Sequence, residues 1–164
     1  MPTNGTILGL DLAATTGWAL YDGKNIVAGG TWGLAGIGSE YSGWRLASLA
    51  DCLRGLFTSV ALPGLVACEA PFVNRGKYGN PKTALMLAEY TGVVKVWCHR
   101  RDLKFTNFAP ASIKKFATGN FKATKTLMRT FAENEWPGVE WIDDNHVDAA
   151  WVAAYAASQE RDNA

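Results

Sequence analysis

Three acidic stations along this chain stand in settings where a carboxylate must do something. Asp11 ends the apolar run Ile7-Leu8-Gly9-Leu10-Asp11, and Glu69 ends Leu65-Val66-Ala67-Cys68-Glu69. The third station, Asp143-Asp144-Asn145-His146-Val147-Asp148, opens the apolar stretch Ala149-Ala150-Trp151-Val152-Ala153-Ala154. A carboxylate at the end of a buried strand is costly unless paired or metal-bound. Several gathered in one place repel each other, and a divalent cation relieves that repulsion. Asp11, Glu69, Asp144 and Asp148 are therefore the candidate ligands of a two-metal site that cleaves phosphodiesters.

The elements that must position them follow from periodicity. Thr6–Asp11, Gly17–Tyr21 and Ile26–Trp32 read as strands of a meander, with Asp22-Gly23 as a hairpin signal. From Ser42 the apolar period becomes helical, with Leu46, Leu49, Leu53, Leu56, Phe57 and Val60 on one face. Pro63-Gly64 breaks that helix and Leu65–Glu69 is a short buried strand. After a polar loop, Asn80-Pro81 reads as a cap and first turn of a helix reaching about Cys98. Its apolar stripe is simplest as core against the sheet. Lys104–Ala109 is a fifth strand, followed by helices at Pro110–Phe116, Lys122–Glu133 and about Asn145–Gln159. The whole, 1–164, is expected to be one α/β domain. Its mixed five-stranded sheet begins with three antiparallel strands, as in the RNase H-like superfamily.

Net charge is +1, but residues 71–130 hold twelve Lys/Arg against two acids, +10, and the rest of the chain is −9. Such segregation reads as a polyanion-binding surface beside an acidic metal pocket, with solvated helix faces as the plainer account. Cys52, Cys68 and Cys98 are scattered, without metal-ligand spacing, and read as reduced core thiols. No run is apolar enough to span a bilayer, and the polar N-terminus leads directly into a strand, so a cytoplasmic protein is expected.

Taken in order, these motifs resemble the RuvC family of Holliday-junction resolvases, especially the compact members found in bacteriophages. Ile7–Asp11 with Thr16-Gly17-Trp18-Ala19 is similar to the family's first motif, Cys68-Glu69-Ala70-Pro71-Phe72 to its second, and Asp144–Ala150 to its C-terminal acidic motif. Ala109–Lys115 and Gly119–Lys125 resemble its basic segment, where two lysines eleven residues apart line the DNA cleft, here Lys114 and Lys125. The resemblance implies a homodimer on a four-way DNA junction. It would make paired symmetric nicks with Mg²⁺, or Mn²⁺ in its place, two ions per active site. It also implies an aromatic, here Phe72, inserted at the crossover; an ordinary loop aromatic is the alternative. Arg75 and Lys77 in the same loop, and Lys115 and Lys122 in the basic segment, join as phosphate contacts. The helix after Asn80 would then help form the dimer interface.

The third station departs from the family spacing. The partner of Asp148 is expected three residues earlier, where this chain has Asn145. Asp144 and Asn145 share a helical face with Asp148. Asp144 is taken as the carboxylate, with helix capping as its alternative role and Asn145 as a neutral oxygen ligand. His146 points away from Asp148 on a helix, and His99 reads as surface. Lys125 offers a second role, offsetting charge at the scissile phosphate.

Three rival readings remain. Asp-x-x-x-x-Thr-Gly also follows the first strand of actin-like and sugar-kinase ATPases, but the chain is short for their two domains. Another RNase H-like nuclease, acting on different branched DNA or RNA–DNA hybrid, would carry the same site. A non-catalytic junction-binding protein would follow if Asn145 marks a degraded site.

Overall fold

The computed structural model describes residues 4–34, 42–71 and 81–164. Phe72, Arg75, Lys77, Tyr78 and the Asn80 cap lie outside the described residues. In chain order the elements are β1 (Asn4–Asp11), β2 (Thr15–Tyr21), β3 (Ile26–Gly33), α1 (Ser42–Ser59) and β4 (Pro63–Glu69). They continue with α2 (Pro81–Arg100), β5 (Lys104–Phe108), α3 (Pro110–Thr118), α4 (Lys125–Glu135) and α5 (Asp144–Asp162).

The sheet order is β3-β2-β1-β4-β5. β1–β2 and β2–β3 are antiparallel, while β4 joins β1, and β5 joins β4, in parallel. This is the expected mixed sheet, with α1 as the crossover. Side-chain alternation sends the two faces into different cores. Leu8, Leu10, Val66 and Cys68 join Leu49 and Leu53 of α1 and Tyr90 and Val94 of α2. Ile7, Leu65 and Ala67 face the other way, toward α5, with Ile113 and Met128 from α3 and α4.

Several boundaries shift by a few residues from the sequence expectation, and two of the shifts have a clear local cause. Pro63 and Gly64 begin β4 rather than ending the preceding helix: Pro63 pairs with Asn4 at the strand's first position, where its missing N–H matters least. The fourth helix begins at Lys125, not Lys122, because Thr124 is extended (φ −76°, ψ 163°) and its hydroxyl accepts the Leu127 N–H at 3.2 Å as a cap. Residues 118–123 form instead a hydrogen-bonded turn after Gly119 (φ 78°), the left-handed end of α3.

Candidate active-site cleft

Register places the first two stations side by side. Leu10 pairs with Cys68, so Asp11 and Glu69 follow together off the C-terminal ends of parallel neighbours, both on the α5 face. The third is brought over them by an unusually close helix. α5 buries ten residues, six of them alanine, against the sheet. At Gly9 a Cβ would overlap the carbonyl oxygen of Ala149 and the Ala153 nitrogen, and at Gly17 it would overlap the carbonyl oxygen of Asn145. The two glycines let the helix backbone rest on the strands, which sets Asn145 and Asp148 above Asp11. Thr16, fully buried, donates its hydroxyl to the Ala13 carbonyl (2.7 Å) and pins the turn leaving Asp11. The Thr-Gly pair thus serves the turn and the docking of α5, which leaves no room at Gly17 for a phosphate cradle.

The resulting cleft, about 490 Å³, is lined by Asp11, Glu69, Asn145 and Asp148 with Lys114 of α3 and Lys125 of α4. Ala13, Pro110, Ala123, Thr124 and Met128 complete the walls. A smaller recess of about 150 Å³ adjoins Glu69, between Leu12, Leu87 and Thr91. Burial pushes the Asp11 carboxyl well above the carboxylate range, reinforced by the charges of Glu69 and Asp148 and opposed by Lys125. Burial, then Asp148, pushes Glu69 up to about 7, with Lys114 and Lys125 pulling the other way. Asp148 rises to about 6, again from burial first; Lys125 and Lys114 oppose the rise and Asp144 and Asp143 add to it. Three carboxyls raised by burial, with Glu69 and Asp148 acting on Asp11 and Asp148 on Glu69, share one electrostatic site, and a cation is what would let all three ionise together.

The donor set therefore fits a hard, oxygen-liganded ion. Among the described residues no three His, Cys, Asp or Glu side chains already converge on one point. The carboxylates ring the cleft. Lys125 is the first residue of α4, the end of a helix where a cation is disfavoured by the macrodipole. Positive potential from both sources faces the acids, as suits an anionic ligand entering between them.

Asp144 is not among the cleft-lining residues. It stands at the rim, half exposed, its Oδ1 3.6 Å from Arg129 Nη1; Arg129 also reaches the Trp141 carbonyl at 3.4 Å. The cap of α5 is neither Asp144 nor Asn145 but Asp143, whose carboxylate accepts the His146 N–H at 3.0 Å. His146 is buried away from the cleft. Its Nδ1 accepts the Ile142 N–H (3.3 Å), its ring lies 4.9 Å from Trp141, and its Nε2 abuts Gly29, where a Cβ would overlap it. Burial holds this imidazole's pKa below the usual value. His99 is exposed, as expected. Lys115 and Lys122 are exposed too, outside the cleft wall. Thr124 and Asp143 are the N-caps of α4 and α5, a role that a Thr or Asp immediately before a helix signals in the sequence.

A five-stranded sheet in this order, with helices on both faces, is an RNase H-like fold. Solved structures share it: Thermus thermophilus RuvC in complex with a Holliday junction substrate matches with TM-score 0.79 at 17% identity, over 96% of both chains. The yeast mitochondrial Holliday junction resolvase matches with TM-score 0.61 at 15% identity, over 99% of this chain and 84% of that one. In sequence, the profile of the crossover junction endodeoxyribonuclease RuvC family matches residues 7–134. The RuvC crossover junction endodeoxyribonuclease of Sphingopyxis alaskensis is 32% identical across 94% of this chain and 98% of its own length. That of Brachyspira hyodysenteriae is 31% identical over 60% of this chain and 59% of its own. The chain belongs to the RuvC family.

Proposed function

We propose that this protein is a metal-dependent endonuclease that resolves four-way DNA junctions, one RuvC-like domain over 1–164 carrying each active site. The observation that carries the reading is a single cleft in which Asp11, Glu69 and Asp148 meet Lys114 and Lys125. Asp11, Glu69 and Asp148 would hold the ions, Mg²⁺ or Mn²⁺ and two per site, with Asn145 as a neutral oxygen ligand. Such ions would supply Lewis-acid activation of the attacking water and offset charge on the phosphodiester and its leaving oxygen. The protein's own part is placement. Lys114 and Lys125 engage the phosphate and offset its charge, and the buried carboxylates exclude bulk water from one side. Asp144, salt-bridged to Arg129, acts by holding the first turn of α5 in register, a positioning role. Lys115 and Lys122, with Phe72, Arg75 and Lys77, extend the contact with junction arms. Paired nicks need paired sites, hence a homodimer. The helices α1 and α2 support this, since Trp44 (72% exposed) and Leu85 (67%) leave apolar surface uncovered although α2 also buries Tyr90, Thr91, Val94 and Cys98 in the core.

The test uses a synthetic four-way junction, end-labelled on each strand in turn, with Mg²⁺ or EDTA and with wild type or Asp11→Asn. The expected result is symmetric, metal-dependent nicks that vanish in the variant. Binding without nicks in both Mg²⁺ and Mn²⁺ would instead make the chain a junction-binding protein. Equal cutting of linear duplex or RNA–DNA hybrid would keep the site and discard the substrate.

A further inference from the structure

Phe121 is 57% exposed. A lone exposed apolar residue is ordinary; the setting of this one is not. The turn that carries it is held at nearly every residue. Gly119 closes α3 by donating its N–H to the Lys115 carbonyl (2.8 Å). The Thr118 hydroxyl donates to the Lys114 carbonyl (2.9 Å) and accepts the Asn120 N–H (3.2 Å). The Asn120 side chain accepts the Lys122 N–H (2.9 Å), and its carbonyl accepts that of Ala123 (3.0 Å). Ala123, two residues on, is buried in the α5-side core and lines the cleft, followed by Thr124 and Lys125. The Cα of Phe121 is therefore within roughly 8 Å of the cleft wall by chain length alone.

The chemistry around the ring selects its partner. Lys122 Nζ lies over the Phe121 ring, 5.4 Å from the centroid. Lys115 is exposed at the end of α3, and Lys114 and Lys125 face the cleft. An aromatic presented by a fixed turn among four lysines suits a ligand that is anionic along its length and flat at intervals. A protein partner's apolar patch would meet the exposed ammonium groups of Lys115 and Lys122 here. Phe116, in the last turn of α3, turns its ring toward Trp151 and Tyr155 of α5.

We propose that Phe121 is a nucleobase-stacking residue at the rim of the active cleft. It takes one unpaired or unstacked base beside the scissile phosphate, while Lys122 moves from the ring to the adjoining phosphate. The inference rests on the reading of the chain as a DNA-cleaving enzyme and adds a contact to it. Stacking on an aromatic tolerates any base, so Phe121 fixes the position of the strand rather than its sequence.

The experiment places 2-aminopurine, one position at a time, on either side of the cut site in a four-way junction, and separately in a single-stranded oligonucleotide. Binding is followed in EDTA. Wild-type protein should change the fluorescence at one or two positions on the same side of the cut. Phe121→Ala should abolish that change and weaken junction binding about 5- to 150-fold, the range for loss of one stacked base. Phe121→Trp should restore both. The slope of affinity against salt should stay as in wild type for Phe121→Ala but fall by about one contact for Lys122→Ala. Unchanged fluorescence and affinity in Phe121→Ala would overturn the proposal while wild-type nicking left the enzyme reading intact. A wild type inert on junctions, with Phe121-dependent stacking on the single strand, would do the reverse. Unaltered thermal melting of Phe121→Ala separates a lost contact from a lost fold.

Discussion

The two faces of the sheet are packed by opposite means. Toward α1 and α2, Leu8, Leu10, Leu49, Leu53 and Tyr90 fill the space with large side chains. Toward α5, glycine meets alanine and the helix backbone comes down onto the strands at Gly9 and Gly17. Burial of large aliphatic groups stabilises more per residue. Close backbone approach fixes distance, because nothing between helix and strand can repack. The proposed site sits on the second face. The helix that brings Asp148 to the cleft beside Asp11 is the one held by backbone contact.

That contrast breaks most severely at the carboxylates themselves. Asp11→Asn or Glu69→Gln should lower junction nicking by more than about a hundredfold, beyond what loss of an outer-shell partner of a metal ligand costs. Junction binding in EDTA should be retained, as gel shift will check.

Next in size is a lesion at each face. Gly17→Ala drives a methyl into the Asn145 carbonyl and should cost about 3 kcal/mol or more of stability, with nicking lost even in the folded fraction. Leu53→Ala opens a cavity on the other face and should cost about 2–5 kcal/mol. Its nicking rate per folded molecule, measured well below its melting temperature, should match wild type. Equal loss of activity in the two variants would mean that α5 is not specially coupled to the site.

A smaller effect has a sign that only the acidic face can produce. Glu69 is raised from about 4.5 to about 7 and Asp148 from 3.8 to about 6 in the folded chain. The unfolded chain ionises first, so metal-free stability is full below about pH 4 and is lost as pH climbs through 6 to 7. Glu69→Gln should therefore stabilise the metal-free protein at pH 8, by up to about 3 kcal/mol, and leave it unchanged near pH 4. Mn²⁺ affinity in wild type should rise over the same interval as protons are displaced. Thermal melts at the two pH values, with and without Mn²⁺, read both.

The finest test lies at Gly29, where the helix face touches β3 through a side chain instead of backbone. Gly29→Ala should clash with the His146 imidazole and cost about 1–2 kcal/mol, and His146→Ala in the same chain should recover part of it. No such recovery is open to Gly17→Ala, since its clash is with a carbonyl.

Much of this was legible in the residues. Short continuous apolar runs marked β1 and β4 and placed Asp11 and Glu69 at strand ends, because an apolar run and a terminal carboxylate are local properties. The eleven-residue spacing of Lys114 and Lys125 also survived, on the two helices that wall the cleft. The start of α4 was misplaced by three residues because Lys122 continues a helical charge pattern, whereas the Thr124 cap ends it. Likewise Asp143, Asp144 and Asn145 could not be sorted by helical period. The i−3 and i−4 neighbours of Asp148 lie on one face, and a cap is defined by backbone angles that periodicity does not carry.

What the sequence by itself determined is thus the inventory: the RuvC-type motifs, the mixed sheet, three acidic stations and a basic segment, each set by short-range pattern. Only the tertiary structure decided their use. It turned Asn145 into the cleft and left Asp144 at the rim with Arg129, because Gly17 admits the Asn145 carbonyl and so sets the rotation of α5. It also set His146 against Gly29 instead of the acids. Both outcomes depend on which atoms of distant segments touch, and contact across the fold is the one thing a residue pattern leaves open.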